Sequence, residues 1–327
     1  MITPINELDI VYISYDEPNA DKNWNDLLDK CPWAKRSHGV HGSDAAHKAA
    51  AKLCDTHRMI TVDADNIVDP AFFNLEIDLS TLGKNDVISW GAKNEINGLA
   101  YGNGGIKCWP KHVIEQMRTH EAAPENNPQA QVDFCWNVNY VQMNNVYSHV
   151  YNNASPMQAW RAGFREGVKM TLHDGDVVTK KNVKNVHRKN YQRLLVWQTI
   201  GMDAQNGNWA IFGARLGTVM TNLRRDEWDW KNVRDFEWLN KYWKETLAPQ
   251  YGNQAGPQVC EYTGFTWNDE SINHEIMVLG ETLRHDLGLE IADINKQGSR
   301  FFKEVYINPA RVHPMARELD VINEMGQ

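Results

Sequence analysis

Residues 58–68 read Arg58-Met-Ile-Thr-Val-Asp-Ala-Asp-Asn-Ile-Val68, a short apolar run that ends in two carboxylates one residue apart. Met59, Ile60 and Val62 carry the pattern of a buried strand, and Asp63 and Asp65 follow at its carboxyl end. Alternate side chains of an extended chain point the same way, so both carboxylates can face one spot outside a sheet. Open α/β sheets bind their ligands at that spot. Two hard oxygen ligands there suit Mg²⁺ or Mn²⁺, with a partner such as a diphosphate completing the octahedron. The same residues also fit a plain polar turn after a strand; the segments before them favour the ligand site.

On the amino side, Leu8-Asp-Ile-Val-Tyr-Ile-Ser-Tyr15 is a β-branched and aromatic run. The acidic stretch Asp16-Glu-Pro-Asn-Ala-Asp follows, and then a helical pattern over residues 22–30. A shorter strand is expected over residues 34–40. Gly39 and Gly42 bracket the turn into a helix, Ser43-Asp-Ala-Ala-His-Lys-Ala-Ala-Ala-Lys-Leu-Cys54, with Ser43 or Asp44 as its cap and His47 and Lys48 near its start. On the carboxyl side residues 85–92 predict a further strand. This alternation predicts a parallel or mixed sheet with helices on both faces. The run Gly98-Leu-Ala-Tyr-Gly-Asn-Gly-Gly-Ile-Lys-Cys-Trp-Pro110 reads in two ways. It is either a surface loop, or a loop whose backbone approaches a ligand with Tyr101 and Trp109 as stacking surfaces.

Residues 121–131 read as an exposed connector, and a β-rich stretch runs from Asp133 to about residue 150. Residues 153–170 predict a helix with Ser155 at its N-cap and Pro156 at its first position. Arg161 and Arg165 are four apart and share a face of it. Between Asp176 and Asp203 there is no acidic residue, whereas Lys180, Lys181, Lys184, Arg188, Lys189 and Arg193 all occur. Beyond that the pattern is helical and rich in tryptophan, interrupted near residues 250–263. Two domains are expected, residues 1–176 and a mostly helical region over residues 177–327.

The 327 residues are 42% hydrophobic and 10% aromatic, enough for one large core or two smaller ones. There is no run of about 18 apolar residues, and the first residues lack a secretory pattern, so the expected location is the cytoplasm. Five cysteines without C-x-x-C spacing suggest buried free thiols. The formal charge of −8 argues against a surface that attracts nucleic acid everywhere, while leaving room for a local patch. Most of the 13 tryptophans are expected in the core.

Taken in order, the first strand with its acidic end, Gly39-Val-His-Gly with Ala46-His-Lys-Ala-Ala-Ala, Val62-Asp-Ala-Asp-Asn, and Ser155-Pro-Met-Gln-Ala-Trp-Arg-Ala-Gly-Phe-Arg-Glu-Gly-Val-Lys resemble a GT-A type nucleotide-sugar glycosyltransferase. The phage-encoded members of that group are the most similar, over roughly the first half of the chain. The resemblance implies a GT-A-like, Rossmann-like mixed sheet flanked by helices. It implies Asp65 as the main ligand of Mn²⁺ or Mg²⁺ and Asp63 as its helper, on the ribose or on metal-bound water. Asp16 or Glu17 would lie near the nucleoside, and Lys48 would reach a phosphate or ribose, with His47 and Tyr101 also in the substrate site. A third metal ligand would be His149, His173 or His187. Asp133 would be the base of an inverting reaction; Trp160, Arg161 and Arg165 would bind substrate, with Glu166 as a second catalytic carboxylate.

The implied activity is transfer of a sugar from a nucleotide sugar to an acceptor hydroxyl. If the phage resemblance extends to the acceptor, it is a hydroxymethylated pyrimidine in DNA, with the basic run Lys180 to Arg193 along the phosphate backbone. A nucleotidyltransferase uses a similar sheet and paired carboxylates, but Tyr15-Asp-Glu-Pro-Asn lacks the glycine-rich basic signature that such chemistry needs near the first strand. A non-catalytic binding module is the third reading.

Overall fold

The computed structural model describes residues 2–101, 105–124, 127, 130, 134–253, 266–267 and 269–307. The chain divides into two compact units between Asn152 and Asn153.

The first unit is an α/β fold. Its strands are β1 (Ile2–Pro4), β2 (Asp9–Ser14), β3 (Lys35–His38), β4 (Arg58–Asp63), β5 (Asn66–Val68), β6 (Glu76–Asp78), β7 (Val87–Asn94), β8 (Ala100–Tyr101), β9 (Ile106–Pro110) and β10 (Tyr140–Val150). Helices α1 (Ala20–Lys30), α2 (Ser43–Lys52) and α3 (Lys111–Glu115) connect them. β1 and β6 form a small pair, and the main sheet runs β3-β2-β4-β9-β7-β10-β5, with β8 on β7. β3, β2 and β4 are parallel, β9 is antiparallel to β4 and to β7, and β10 is parallel to β7. Period-two alternation sorts the side chains: Ile10, Tyr12, Ile60 and Val62 pack with Leu27 of α1 on one face. Val11 and Met59 pack with Ala50 and Ala51 of α2 on the other.

One feature of the connectivity bends this sheet. β5 pairs with β10, four strand steps from β4, which in a flat sheet is about 19 Å. Yet only Ala64 and Asp65 separate β4 from β5, and three residue steps span at most about 11 Å. The sheet therefore curls until its far edge returns to the end of β4, and the Ala64–Asp65 turn bridges the gap.

α2 begins at Ser43 as expected, but neither Ser43 nor Asp44 caps it. Gly42 is the N-cap, and the carboxylate of Glu121, far along the chain, accepts from the backbone N–H groups of Ser43 (2.6 Å) and Asp44 (3.1 Å). Asp44 in return accepts from the N–H of Thr119 at 2.7 Å. A carboxylate at a helix N-terminus satisfies orphan donors and complements the dipole. Glu121→Ala is expected to lower stability by about 1 kcal/mol, while Glu121→Gln retains most of it, read as the urea midpoint.

The second unit is helical. α4 (Pro156–Thr171) starts as its sequence predicts, with Ser155 Oγ accepting from the Gln158 N–H at 3.2 Å; Gln158 Oε1 reciprocates by accepting from the Ala154 N–H at 2.8 Å. α5 (Arg188–Trp197) follows, and α6 (Gly207–Asn222), mostly apolar with Arg215 and two threonines among its buried residues, is buried along nearly its whole length. α4 and α6 approach through glycines: Gly163 and Gly167 lie against the backbone of Ala210 and Ala214, and Gly213 and Gly217 against that of Trp160 and Phe164. This packing corrects the expected boundary at residue 176, because α4 belongs to the second unit. α7 (Phe236–Tyr242) and α8 (Asp269–Thr282) complete the surround. The buried Arg215 donates to the carbonyls of Gln198, Ile276 and Ala292 and pairs with Asp293. No described helix is long and apolar enough to cross a membrane.

Candidate metal and nucleotide site

Ser14, His38 and Asp63 end three adjacent parallel strands, so the carboxyl edge of β3-β2-β4 presents them side by side. The turn after Asp63 is held from all sides. The Ala64 carbonyl accepts from the Tyr12 hydroxyl (2.8 Å) and from Asn23 Nδ2 (2.9 Å), and the Asp65 carbonyl accepts from the Tyr151 N–H (2.7 Å). Burial holds the Tyr12 phenol protonated, which keeps it a donor. Asn66 orients the carboxylate itself: its Nδ2 donates to Asp65 Oδ1 at 2.8 Å, while its Oδ1 accepts from Ser148 Oγ at 2.9 Å. β10 thus reaches across the curl to fix the second aspartate.

Electrostatics concentrate on Asp65. Burial in the turn, then the charges of Asp63 and Glu17, push its carboxyl up to about 7. Glu17 lies in the acidic loop, with Oε2 accepting from the Tyr15 N–H at 2.8 Å; Asp16, its neighbour, is exposed. A buried carboxyl raised by neighbouring negative charge is a position where an added cation would favour the ionised form. Among the described residues no group of three or more His, Cys, Asp or Glu could hold a metal by itself. Two aspartate oxygens would then be completed by a diphosphate and water, the coordination that Mg²⁺ and Mn²⁺ accept.

Gly105, the last glycine of the glycine-rich run, lies against this turn. Its carbonyl accepts from the Asp63 N–H at 2.9 Å, and a Cβ on it would lie 2.1 Å from Asn66 Nδ2 and 2.7 Å from Asp63 Cβ. Gly105→Ala is expected to displace the Asn66 amide from Asp65 and to weaken Mn²⁺ binding by about tenfold with the fold retained, measured by Mn²⁺ titration in electron paramagnetic resonance.

Other expected site residues fall elsewhere. Trp109 is fully buried, packed opposite Met59 with its Nε1 donating to Thr61 Oγ1 at 3.0 Å, so it offers no stacking surface. His47 is only 7% exposed; its Nδ1–H donates to its own helix at the Ser43 carbonyl (2.9 Å), and its ring lies against Phe134 and Trp109. Burial lowers its pKa against the pull of Asp63, so it stands as a neutral wall residue beside the pair. Lys48 is half-buried on α2, and Tyr101 is half-buried on β8 opposite Ala92. Asp133 lies outside the described residues.

Trp160, Arg161, Arg165 and Glu166 belong to α4 of the second unit and serve it. Trp160 is fully buried and stacks on Tyr242; Arg161 and Arg165 lie over the Phe236 ring, and Glu166 pairs with Lys169. A 3.6-residue period places these four around one helix, but the apolar side of that helix faces α6. Of the three histidines, His149 Nδ1 bonds Glu95 Oε1 at 2.5 Å on β10, His173 sits in a turn with Asp176, and His187 is exposed before α5. None joins a described metal cluster. In the basic run Lys180 donates to the His285 carbonyl and Lys184 pairs with Glu290, while Lys181, Arg188 and Lys189 are exposed. The four described cysteines are buried free thiols, with Cys31 and Cys54 pushed up to about 12 by burial; Cys260 lies outside the described residues.

The supports of the turn went unread in sequence. Tyr12 and Asn23 are polar groups placed at apolar-facing positions, and that was the available signal. Compared with protein-family models, curated proteins and solved structures, the chain matches none of them.

Proposed function

We propose that the chain is a metal-dependent glycosyltransferase of GT-A type that moves a sugar from a nucleotide-sugar donor to an acceptor hydroxyl. The observation that carries this reading is the crowding of Asp63, Asp65 and Glu17 at the carboxyl edge of parallel strands, where Asp65 holds its proton to about 7 unless a cation replaces it. Asp65, with Asp63 beside it, would hold Mn²⁺ or Mg²⁺, which when bound supplies Lewis-acid stabilisation to the departing diphosphate. Asn66 and Ser148 orient the Asp65 carboxylate, and Tyr12, Asn23 and the Tyr151 amide keep its turn from moving as charge develops. Asp133 remains the assigned base of an inverting reaction. Glu166, tied to Lys169, is not carried forward. One acceptor compatible with this reading is a hydroxymethylated pyrimidine in DNA, for which the exposed Lys181, Arg188 and Lys189 would meet phosphates; a lipid, protein or polysaccharide acceptor would leave them a solvated surface.

The test is a screen of nucleotide sugars with Mn²⁺ or Mg²⁺, with and without hydroxymethylated DNA, following release of nucleoside diphosphate. Metal-dependent release stimulated by the DNA, falling steeply with salt, is the expected result. Release of pyrophosphate would instead identify a nucleotidyltransferase. No release with any donor would leave a binding module.

A further inference from the structure

At the opposite end of β4 a cleft of about 400 Å³ opens, within the size range of small-molecule sites. His57 and Arg58 line it from the start of β4, Lys84 from the turn before β7, and Lys111 and His112 from α3. Leu79, Leu82 and Pro110 form its apolar wall. Among the lining residues Glu115 is the one acid, in a chain whose formal charge is −8. Five steps of extended strand separate Arg58 from Asp63, so this cleft lies about 17 Å from Asp63, at the other end of β4.

Two of the cations, Lys84 and Lys111, make no ion pair among the described residues, and Arg58 is offset in part by Asp86. The Arg58 guanidinium donates to the carbonyls of Asp86 (2.9 Å) and Gly83 (3.3 Å), and Lys111 Nζ donates to the carbonyl of Cys54. These acceptors orient the side chains and carry no formal charge. The Asp86 carboxylate accepts from the Gly83 N–H (2.7 Å) and Asn139 Nδ2 (2.9 Å), keeps its charge and lies within the field of Arg58, so it offsets part of that guanidinium's charge. Lys84 is exposed and makes no ion pair among the described residues. His112 is turned by Asn85, its Nε2 lying 2.9 Å from Oδ1. Ordering of two of these side chains is therefore complete before any ligand arrives, which lowers the cost of binding an anion.

We propose that this cleft binds a small organic phosphate monoester, with the phosphate among Lys84, Lys111 and Arg58 and the carbon body against Leu79, Leu82 and Pro110. A phosphate dianion offers several acceptor oxygens to a guanidinium fork and two ammonium groups, and a short apolar wall suits a compact ring or chain beside it. This inference is independent of the proposed transferase activity.

The test is a titration of the ¹⁵N-labelled full chain with phenyl phosphate and with inorganic phosphate, in the presence of a chelator so that no metal draws phosphate to Asp63 and Asp65. The expected result is saturable amide shifts at residues 57–58, 82–84 and 111–112, with phenyl phosphate binding several-fold tighter than inorganic phosphate. Lys84→Ala, at an exposed position, should weaken phenyl phosphate by roughly tenfold. Lys84→Glu should abolish binding, and Glu115→Gln should strengthen it. Absence of saturable shifts, or binding unchanged in both Lys84 variants, would overturn the site. Equal affinity for the two ligands would overturn the organic part of the assignment.

Discussion

Asp65→Asn is expected to stabilise the metal-free protein at pH 8 and to lower the proposed metal-dependent transfer by at least about 10³-fold. Both effects have one cause. In the unfolded chain an aspartate titrates near its ordinary value of about 4, whereas in the fold burial, Asp63 and Glu17 push Asp65 up to about 7. Between these values the folded state holds a proton that the unfolded state has lost, so stability falls as pH rises from about 4 to about 7 and stays lower above that. Asparagine cannot ionise, and its carbonyl oxygen can still accept from Asn66, so the variant escapes this decline. Discounted for the exposed edge of the carboxylate, the gain at pH 8 is about 2 kcal/mol, or on the order of 5 °C, shrinking toward zero at pH 4. Scanning calorimetry of both proteins at pH 4, 6 and 8 checks the sign. Added Mn²⁺ should raise the melting temperature of the natural protein at pH 8 and leave the variant unmoved. A variant no more stable than the natural protein at pH 8 would remove the charge crowding on which the site rests.

The second large effect is structural. Gly163→Val is expected to destroy the second unit's cooperative melting, because a Cβ at this position would lie 1.9 Å from the Ala210 carbonyl oxygen. The contact is with backbone, so no rotamer change relieves it. A Cβ on Gly213 would likewise meet the Trp160 carbonyl oxygen at 2.2 Å from the other side, so neither helix has room for a side chain at the crossing. Separating the helices would open the core around Trp160, Trp209 and Phe164, all buried. The cost is roughly 3 kcal/mol or more, beyond ordinary overpacking. It is read as loss of helical circular dichroism and a red shift of tryptophan emission. Lys189→Val, at an exposed helical position, should change stability by no more than about 0.5 kcal/mol and serves as the control.

Gly163-x-x-x-Gly167 and Gly213-x-x-x-Gly217 stand in the sequence as two separate local spacings. That they face one another depends on the fold. The candidate site shows the same limit. Asp63 and Asp65 could be placed at a strand end from a few neighbouring residues, whereas Gly105 reaches them because β9 pairs with β4, and Ser148 and Tyr151 because the sheet curls.

By itself the sequence determined what short-range periodicity and capping control: the strand ending at Asp63, the α/β alternation on either side of it, the start of α4 at Ser155 and Pro156, and buried thiols. Tertiary structure alone decided which polar and aromatic groups meet. It brought the Glu121 carboxylate to the first N–H groups of α2, set Glu17 where its charge acts on Asp65, and moved His47, Trp109 and Trp160 into cores. It also assigned α4 to the second unit. The physical reason is that strand order and sheet curl bring together residues tens of positions apart, and local pattern carries no information about that pairing.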